Sequence, residues 1–388
     1  MGDKNKPFNI KNRQIALIIE TSNEYARGLI RGIKKFKREN RNWSIYLNEQ
    51  SRGYSDLTWL LNWKGDGILA RIESPQIAEY IKIKKIPTVD LSSFNFIPSL
   101  PYVETDDDSI ARLAADHLIE RGFKNFAFCG NSKYYWSQQR NYFFGNYIKN
   151  LGFHCYCLDS SSAKTCYEER LQMADWVEHL PKPIGVMACF DRQGQQLLEA
   201  CKLRKISVPN DVAVVGVDND DLICELSDPP LSSIIPNSEE TGYHAALLLD
   251  NMINGKNIDS YKNLIKPLGI QTRLSTDILA IEDKLMSNSY SFIRNHACDG
   301  ITVQDVLNQN PLSRRVFEFR FYKCFGKTPH AAILSERLKF VKQLLEETDL
   351  TMANIASRAG FYHTEYLTVV FKREFGICPS EYRKTFNR

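Results

Sequence analysis

From residue 14 to residue 276 short β-branched or aromatic runs alternate with stretches of helical period, and beyond residue 276 no strand-like run occurs. The strand-like runs read QIALIIE, SIYLNEQ, GDGILAR, IPTVDL, NFAFCG, FHCYCLD, IGVMACF and VAVVGVDND. Amphipathic segments over 24–38, 110–121, 168–180 and 193–204 stand between them. Strands that alternate with helices predict parallel sheets covered on both faces, because a parallel connection needs a crossover long enough to hold a helix. So many strands fit two sheets better than one. The second lobe is expected to start at NFAFCG after Gly122, with the chain running back near Ser232 to Pro236 to form a hinge. Ligands of open α/β sheets bind at the carboxyl ends of strands, and a cleft between two lobes gathers several such ends.

The remainder reads as helices alone, over 290–296, 303–309, 313–325, 330–347, 352–359 and 364–375. The expected division is therefore an α/β two-lobed domain over 1–279 and an all-α domain over 285–388. Charge follows the same division. The 388 residues carry 50 Lys and Arg against 46 Asp and Glu, and residues 280–388 hold 16 against 12. The whole positive excess thus lies in the last quarter, where phosphate neutralisation is its usual use.

The ten cysteines include no CxxC pair. Such spacing predicts buried, reduced thiols in a cytoplasmic protein rather than a zinc site or a disulfide framework. The apolar run IALII near the start is too short for a signal-peptide core or a membrane span. No GxSxG elbow, GxxxxGK[ST] loop, GxGxxG turn or HExxH pair occurs, so an enzyme, a metal site and a bound cofactor are not expected.

In TMANIASRAGFYHTEYLTVVFKREFG a short helix with Ile355 and Ala356 is followed by a turn at Gly360 and a second helix starting near His363. Phe361, Leu367, Phe371 and Phe375 recur at helical spacing and are expected to lock the two together. Thr364, Glu365, Thr368 and Val369 are left on the other side, able to enter a major groove. The segment ITVQDVLNQNPLSRRVFEFRFYKCFG has the same layout, with Ser313 as N-cap, Phe317, Phe321 and Phe325 as the buried stripe and Gly326 as the stop. Arg314, Arg315, Glu318 and Phe319 then face outward. Lys372 and Arg373 fit phosphate contacts better than base contacts.

NIASRAGF, FKREFG and PSEYR, over about residues 288–386, resemble the AraC/XylS family of tandem helix-turn-helix domains. That resemblance implies base contacts from Arg315, Glu318 and Phe319 in the first unit and from Thr364, Glu365 and Val369 in the second, with His363 beside them. Pro311 departs from the family by standing where a glycine turn is usual, and Phe319 and Val369 by standing where basic side chains are common. TDDDSIARLAADHLIERGFKNFAFCG, KISVPNDVAVVGVDNDD, PPLSSI and IQTRLSTD resemble, in this order, the LacI-type periplasmic-binding-protein-like effector domain. The combination is similar to the family of bacterial xylose operon regulators.

A sugar site needs hydroxyl-directed hydrogen bonds around an aromatic face. The strand mouths offer Asn23 and Tyr25, Arg71 and Glu73, Asp191 with Arg192, and Asp218 with Asn219, with Asp107 as a further choice. The resemblance adds Arg140, at the place of the family's effector-binding arginine. The implied protein is a cytoplasmic regulator, an activator of sugar catabolic genes, that binds operator DNA and a monosaccharide effector, D-xylose first. It is expected to be a homodimer touching RNA polymerase, with no membrane partner. Another pentose or a uronate as effector, a repressor, and a non-regulatory sugar-binding protein are the alternatives.

Overall fold

The computed structural model describes residues 12–40, 42–47, 57–92, 94, 96–163, 165–256, 258, 261–277 and 283–386. The end of the SIYLNEQ run and residues 278–282 lie outside them. The chain divides into two compact units, Met1–Ile278 and Leu279–Arg388.

The first unit runs β1 (Arg13–Ile18), α1 (Glu24–Glu39), β2 (Trp43–Leu47), α2 (Thr58–Asn62), β3 (Gly67–Ala70), α3 (Pro75–Lys84), β4 (Thr88–Asp90), β5 (Tyr102–Thr105), α4 (Asp107–Glu120), β6 (Phe126–Gly130), α5 (Tyr135–Asn150) and β7 (Cys155–Asp159). It continues with α6 (Cys166–His179), β8 (Ile184–Ala188), α7 (Asp191–Leu203), β9 (Val212–Val217), α8 (Asp221–Leu226), β10 (Ser232–Ile235), α9 (Ser238–Ile253), β11 (Lys262–Ile265) and β12 (Gly269–Gln271). One sheet has the order β11-β5-β4-β3-β1-β2 and the other β12-β10-β9-β8-β6-β7. Every pairing is parallel except that of β12 with β10. The central strands β6, β8 and β9 are buried at every residue, as continuous apolar runs under helices on both faces must be.

The chain crosses between the sheets three times. Helix α4 follows a strand of the first sheet yet packs on α5, β8, β9 and β10 of the second. Helix α9 follows β10 of the second sheet and packs on α1, β3, β4 and β5 of the first. The short link from β11 to β12 makes the third crossing. The return expected near Ser232 to Pro236 is present as β10 and the start of α9, whereas β5, β11 and β12 have no counterpart among the strand-like runs. The first carries the charged Glu104 in its middle, the second alternates exposed and half-buried residues, and the third has three residues, so none is a long apolar run.

The second unit is built from α10 (Lys284–His296), α11 (Val303–Asn308), α12 (Arg314–Phe325), α13 (Pro329–Glu347), α14 (Met352–Arg358), α15 (Thr364–Phe375) and α16 (Pro379–Phe386). Leu338, Val341 and Leu345 of α13 share one core with Ile355, Ala356, Leu367 and Phe371. Phe317 and Phe321 of α12 are fully buried, and Tyr290 of α10 stacks on Phe321 and Phe325. Ser313 occupies the N-cap position of α12, but its side chain makes no capping hydrogen bond. Helix α16 lies beyond the helices read from the sequence; it opens at Pro379, and a proline in the first turn of a helix costs nothing. All ten cysteines are free thiols, and Cys157 and Cys166 are exposed, against the expectation of burial.

Candidate functional site

At the carboxyl ends of the two sheets of the first unit lies a narrow cleft lined by Asn23, Tyr25, Arg71, Glu104, Asp107, Trp136, Arg140 and Asp218.

On the first-lobe side, Arg71 directly follows β3, and its guanidinium is buried. Its Nη1 donates to Glu20 Oε1 at 3.1 Å and its Nη2 to Glu73 Oε1 at 2.5 Å. The cation also lies 5.2 Å from the centroid of the Tyr25 ring. Among the described residues its buried Nε–H finds no hydrogen-bond partner. Asn23 caps α1 through Oδ1, which accepts from the Ala26 amide at 2.9 Å, and its Nδ2 donates to Glu20 Oε1 at 2.7 Å. The Tyr25 hydroxyl donates to Glu104 and accepts from Thr105 Oγ1 at 3.0 Å. Burial pushes the Glu104 carboxyl up to about 7, with Arg71 and the Tyr25 hydroxyl pulling the other way. Asp90, the last residue of β4, is also raised to about 7 by burial.

On the other side, α5 presents Arg140. Its Nε donates to Asp107 Oδ1 at 2.8 Å, its Nη1 to the Cys189 carbonyl at 2.6 Å, and its cation lies 4.9 Å from the Trp136 ring centroid. Burial works against the Arg140 charge, but Asp107 and Asp218 outweigh it and hold the guanidinium protonated. Burial raises the Asp107 carboxyl, against the pull of Arg140. Trp136 stacks on Tyr134 at 5.1 Å and meets Phe190 edge-on at 5.5 Å, so its ring plane is fixed from two sides.

The remaining candidates are placed elsewhere. Glu73 anchors Arg71 without lining the cleft. Asp191 is 1% exposed, and its two oxygens accept from the Asp220 amide at 2.8 Å and the Ser233 hydroxyl at 2.5 Å. It makes no pair with Arg140. Asn219 Oδ1 accepts from Arg273 Nη1 at 2.8 Å, and Arg192 is exposed outside the lining. Glu104 and Trp136 escaped the sequence reading. The first hides inside an unrecognised strand, whereas the second was signalled by the aromatic run just before Arg140.

The raised Glu104 carboxyl makes a stability prediction. A carboxyl whose folded value lies near 7, above its ordinary 4.5, binds its proton more tightly in the folded state. Its contribution therefore declines as pH rises from 4.5 to 7. Glu104→Gln keeps the neutral form, so it should stabilise the unliganded protein by up to about 3 kcal/mol at pH 8 and by little at pH 5. Urea unfolding at the two pH values checks this. An equal effect at both would mean that the Glu104 carboxyl does not change its protonation between them.

In the second unit, α14 and α15 form one helix-turn-helix and α11 and α12 the other. Arg315, His363, Glu365, Lys372 and Arg373 are exposed, and Thr364 is half-buried. Arg314 Nε donates to Glu318 Oε1 at 2.8 Å, which ties the half-buried Glu318 to its own helix. Phe319 is 70% and Val369 64% exposed. Large apolar side chains left bare on the outer faces of α12 and α15 suit contact with thymine methyl groups.

Three family matches cover the chain: XylR N-terminal domain over residues 14–108, periplasmic binding protein-like domain over 115–276, and helix-turn-helix domain over 308–385. The xylose operon regulatory protein of Haemophilus influenzae is 32% identical over 95% of this chain and 98% of its own length. Its namesake in Escherichia coli K12 is 30% identical over 96% and 97%. A solved structure described as the xylose-binding transcription activator XylR superposes with a TM-score of 0.82 at 28% identity, over 97% of this chain and 98% of that one.

Proposed function

The chain belongs to the family of xylose operon regulatory proteins, and from that premise we propose that it is a sequence-specific DNA-binding activator of sugar catabolic genes whose effector is D-xylose, held in the interlobe cleft. The pairing of both cleft arginines carries the choice of a neutral sugar. Arg71 is committed to Glu20 and Glu73 and Arg140 to Asp107. An entering uronate would bring a carboxylate beside Glu104, Asp107 and Asp218, where both lining guanidiniums already pair with carboxylates, and a buried like charge is costly there. A neutral ring instead offers hydroxyls to those carboxylates, to Asn23 and to the Arg71 Nε–H, with Trp136 as part of the apolar wall beside it.

The relatives are named as regulators, which supports a non-enzymatic role for the acidic cleft. We place the protein in the cytoplasm, as a homodimer that reaches RNA polymerase from its operator. Among the described residues no helix is long and apolar enough to cross a membrane.

Thermal unfolding with a panel of sugars tests the effector. D-xylose at 100 times its Kd should add about 2.7 kcal/mol to the native state and raise the midpoint, while D-glucuronate should leave it in place. A shift with D-glucuronate and none with D-xylose would overturn the reading.

A further inference from the structure

We propose that Asp191 is a positioning residue for the effector site, one that never touches the sugar but holds the turn presenting Asp218 to the cleft. The inference rests on the sugar-binding reading of that cleft.

The turn after β9 is conformationally unusual. Asp218 has φ 111° and Asn219 φ 49°, and among the described non-glycine residues with positive φ these are the two that adjoin. Left-handed backbone is disfavoured for residues with a Cβ and persists only where surrounding contacts impose it. Asp218 lines the cleft, so the strain lies at the point of recognition.

The imposing contacts converge on one buried carboxylate. Asp191 stands at the first position of α7, after Phe190, which gives the helix no side-chain cap. One oxygen accepts from the backbone amide of Asp220, the residue that ends the turn. The other accepts from Ser233 Oγ, and that same Oγ accepts from the backbone amide of Asn219 at 3.0 Å. The carboxylate therefore grips residue 220 directly and residue 219 through the hydroxyl of β10. The Asp218 amide donates to the Ile234 carbonyl at 3.1 Å, which fixes the other end of the turn to the same strand.

The sequence has made room for this group. A Cβ at Gly216 in β9 would lie 2.3 Å from Asp191 Oδ1. Burial, and Asp218 nearby, push the Asp191 carboxyl well above its ordinary value. Its environment thus suits a hydrogen-bond acceptor for backbone amides rather than a counter-charge, and an amide side chain of the same shape should keep much of the grip.

The test has two arms on the full-length protein. In the first, hydrogen–deuterium exchange is followed without sugar. Asp191→Ala should lose protection at the amides of residues 218–220, and Asp191→Asn should keep most of it. Unchanged protection in the alanine variant would overturn the clamp whatever the effector.

In the second arm D-xylose is titrated calorimetrically. Asp191→Ala should raise the Kd at least tenfold and Asp191→Asn less than threefold. In an Asp218→Asn background the alanine change should add no further loss, because a residue acting through Asp218 has nothing left to position. Equal losses in both backgrounds would show that Asp191 acts elsewhere. Should Asp191→Ala fail to fold, Ser233→Ala removes only the relay to Asn219 and is read by the same two measurements. Wild-type protein that fails to bind D-xylose would sink the effector reading, while the exchange result would still decide the clamp.

Discussion

Arg140→Ala is expected to abolish stabilisation by D-xylose and to cost the unliganded protein about 3–5 kcal/mol, the penalty for removing one partner of a buried ion pair. Both Arg140 and Asp107 are less than a tenth exposed, and the guanidinium serves three neighbours at once: Asp107, the Cys189 carbonyl and the face of Trp136. Truncation leaves a buried carboxylate with no counter-charge and a buried carbonyl without that donor, and it loosens the aromatic wall of the cleft. The destabilisation should shrink toward pH 5, because burial already raises the Asp107 carboxyl and loss of its cation raises it further, so that protonation relieves the unpaired charge. Arg140→Lys should fall between, since a single ammonium cannot span the carboxylate and the carbonyl with the same planar fork. Urea unfolding and calorimetric titration with D-xylose read both effects. An alanine variant that binds within threefold of wild type and unfolds within about 1 kcal/mol of it would remove Arg140 from the centre of the site.

The parts of this arrangement legible in the sequence are those with local causes. Strands β6, β8 and β9 announced themselves because burial on both faces forces an unbroken apolar run. Helix α15 was read to the residue because a phenylalanine stripe fixes its inner face and Gly376 in the left-handed region ends it. Asp218 and Arg71 could be picked out because a polar residue just past a parallel strand points toward a ligand crevice. The same rule misplaced Asp191, which also follows a strand but turns inward beneath the next loop. Whether such a carboxylate faces the cleft or the backbone depends on Gly216 and Ser233, residues 25 and 42 positions away that only the fold brings near. Asn219 is held by Arg273, and that partnership across 54 positions has no local signature either. Glu104 was hidden for the opposite reason. A charged residue in the middle of a four-residue strand argues against the strand itself, and here it is tolerated because the Tyr25 hydroxyl and the Thr105 amide satisfy it in the core.

Gly360→Val should abolish specific DNA binding, with at least a hundredfold loss of affinity, and leave D-xylose binding as in wild type. Gly360 has φ 72°, a conformation that costs a residue with a Cβ ~1–2 kcal/mol and a β-branched one more. Space is also denied. A Cβ there would lie 2.8 Å from the Cys298 carbonyl oxygen and 3.0 Å from that of Ala297, both backbone atoms that cannot swing aside. Relief requires the turn between α14 and α15 to open, which pulls Phe361 and Leu367 away from Ile355 and Ala356 in the core they share. Once α15 shifts, Thr364, Glu365 and Val369, which we propose as its base-reading face, lose their register even if the helix survives. Gly326 supplies the control, since it has φ 64° with open space around its missing Cβ. Gly326→Ala should therefore cost only the backbone preference, ~1 kcal/mol, and spare most of the affinity. Fluorescence anisotropy with an operator fragment and with an unrelated duplex separates the outcomes. Loss on the operator alone means that the second helix-turn-helix reads bases, equal loss on both means that it supplies phosphate contacts, and no loss would assign recognition to α12 alone.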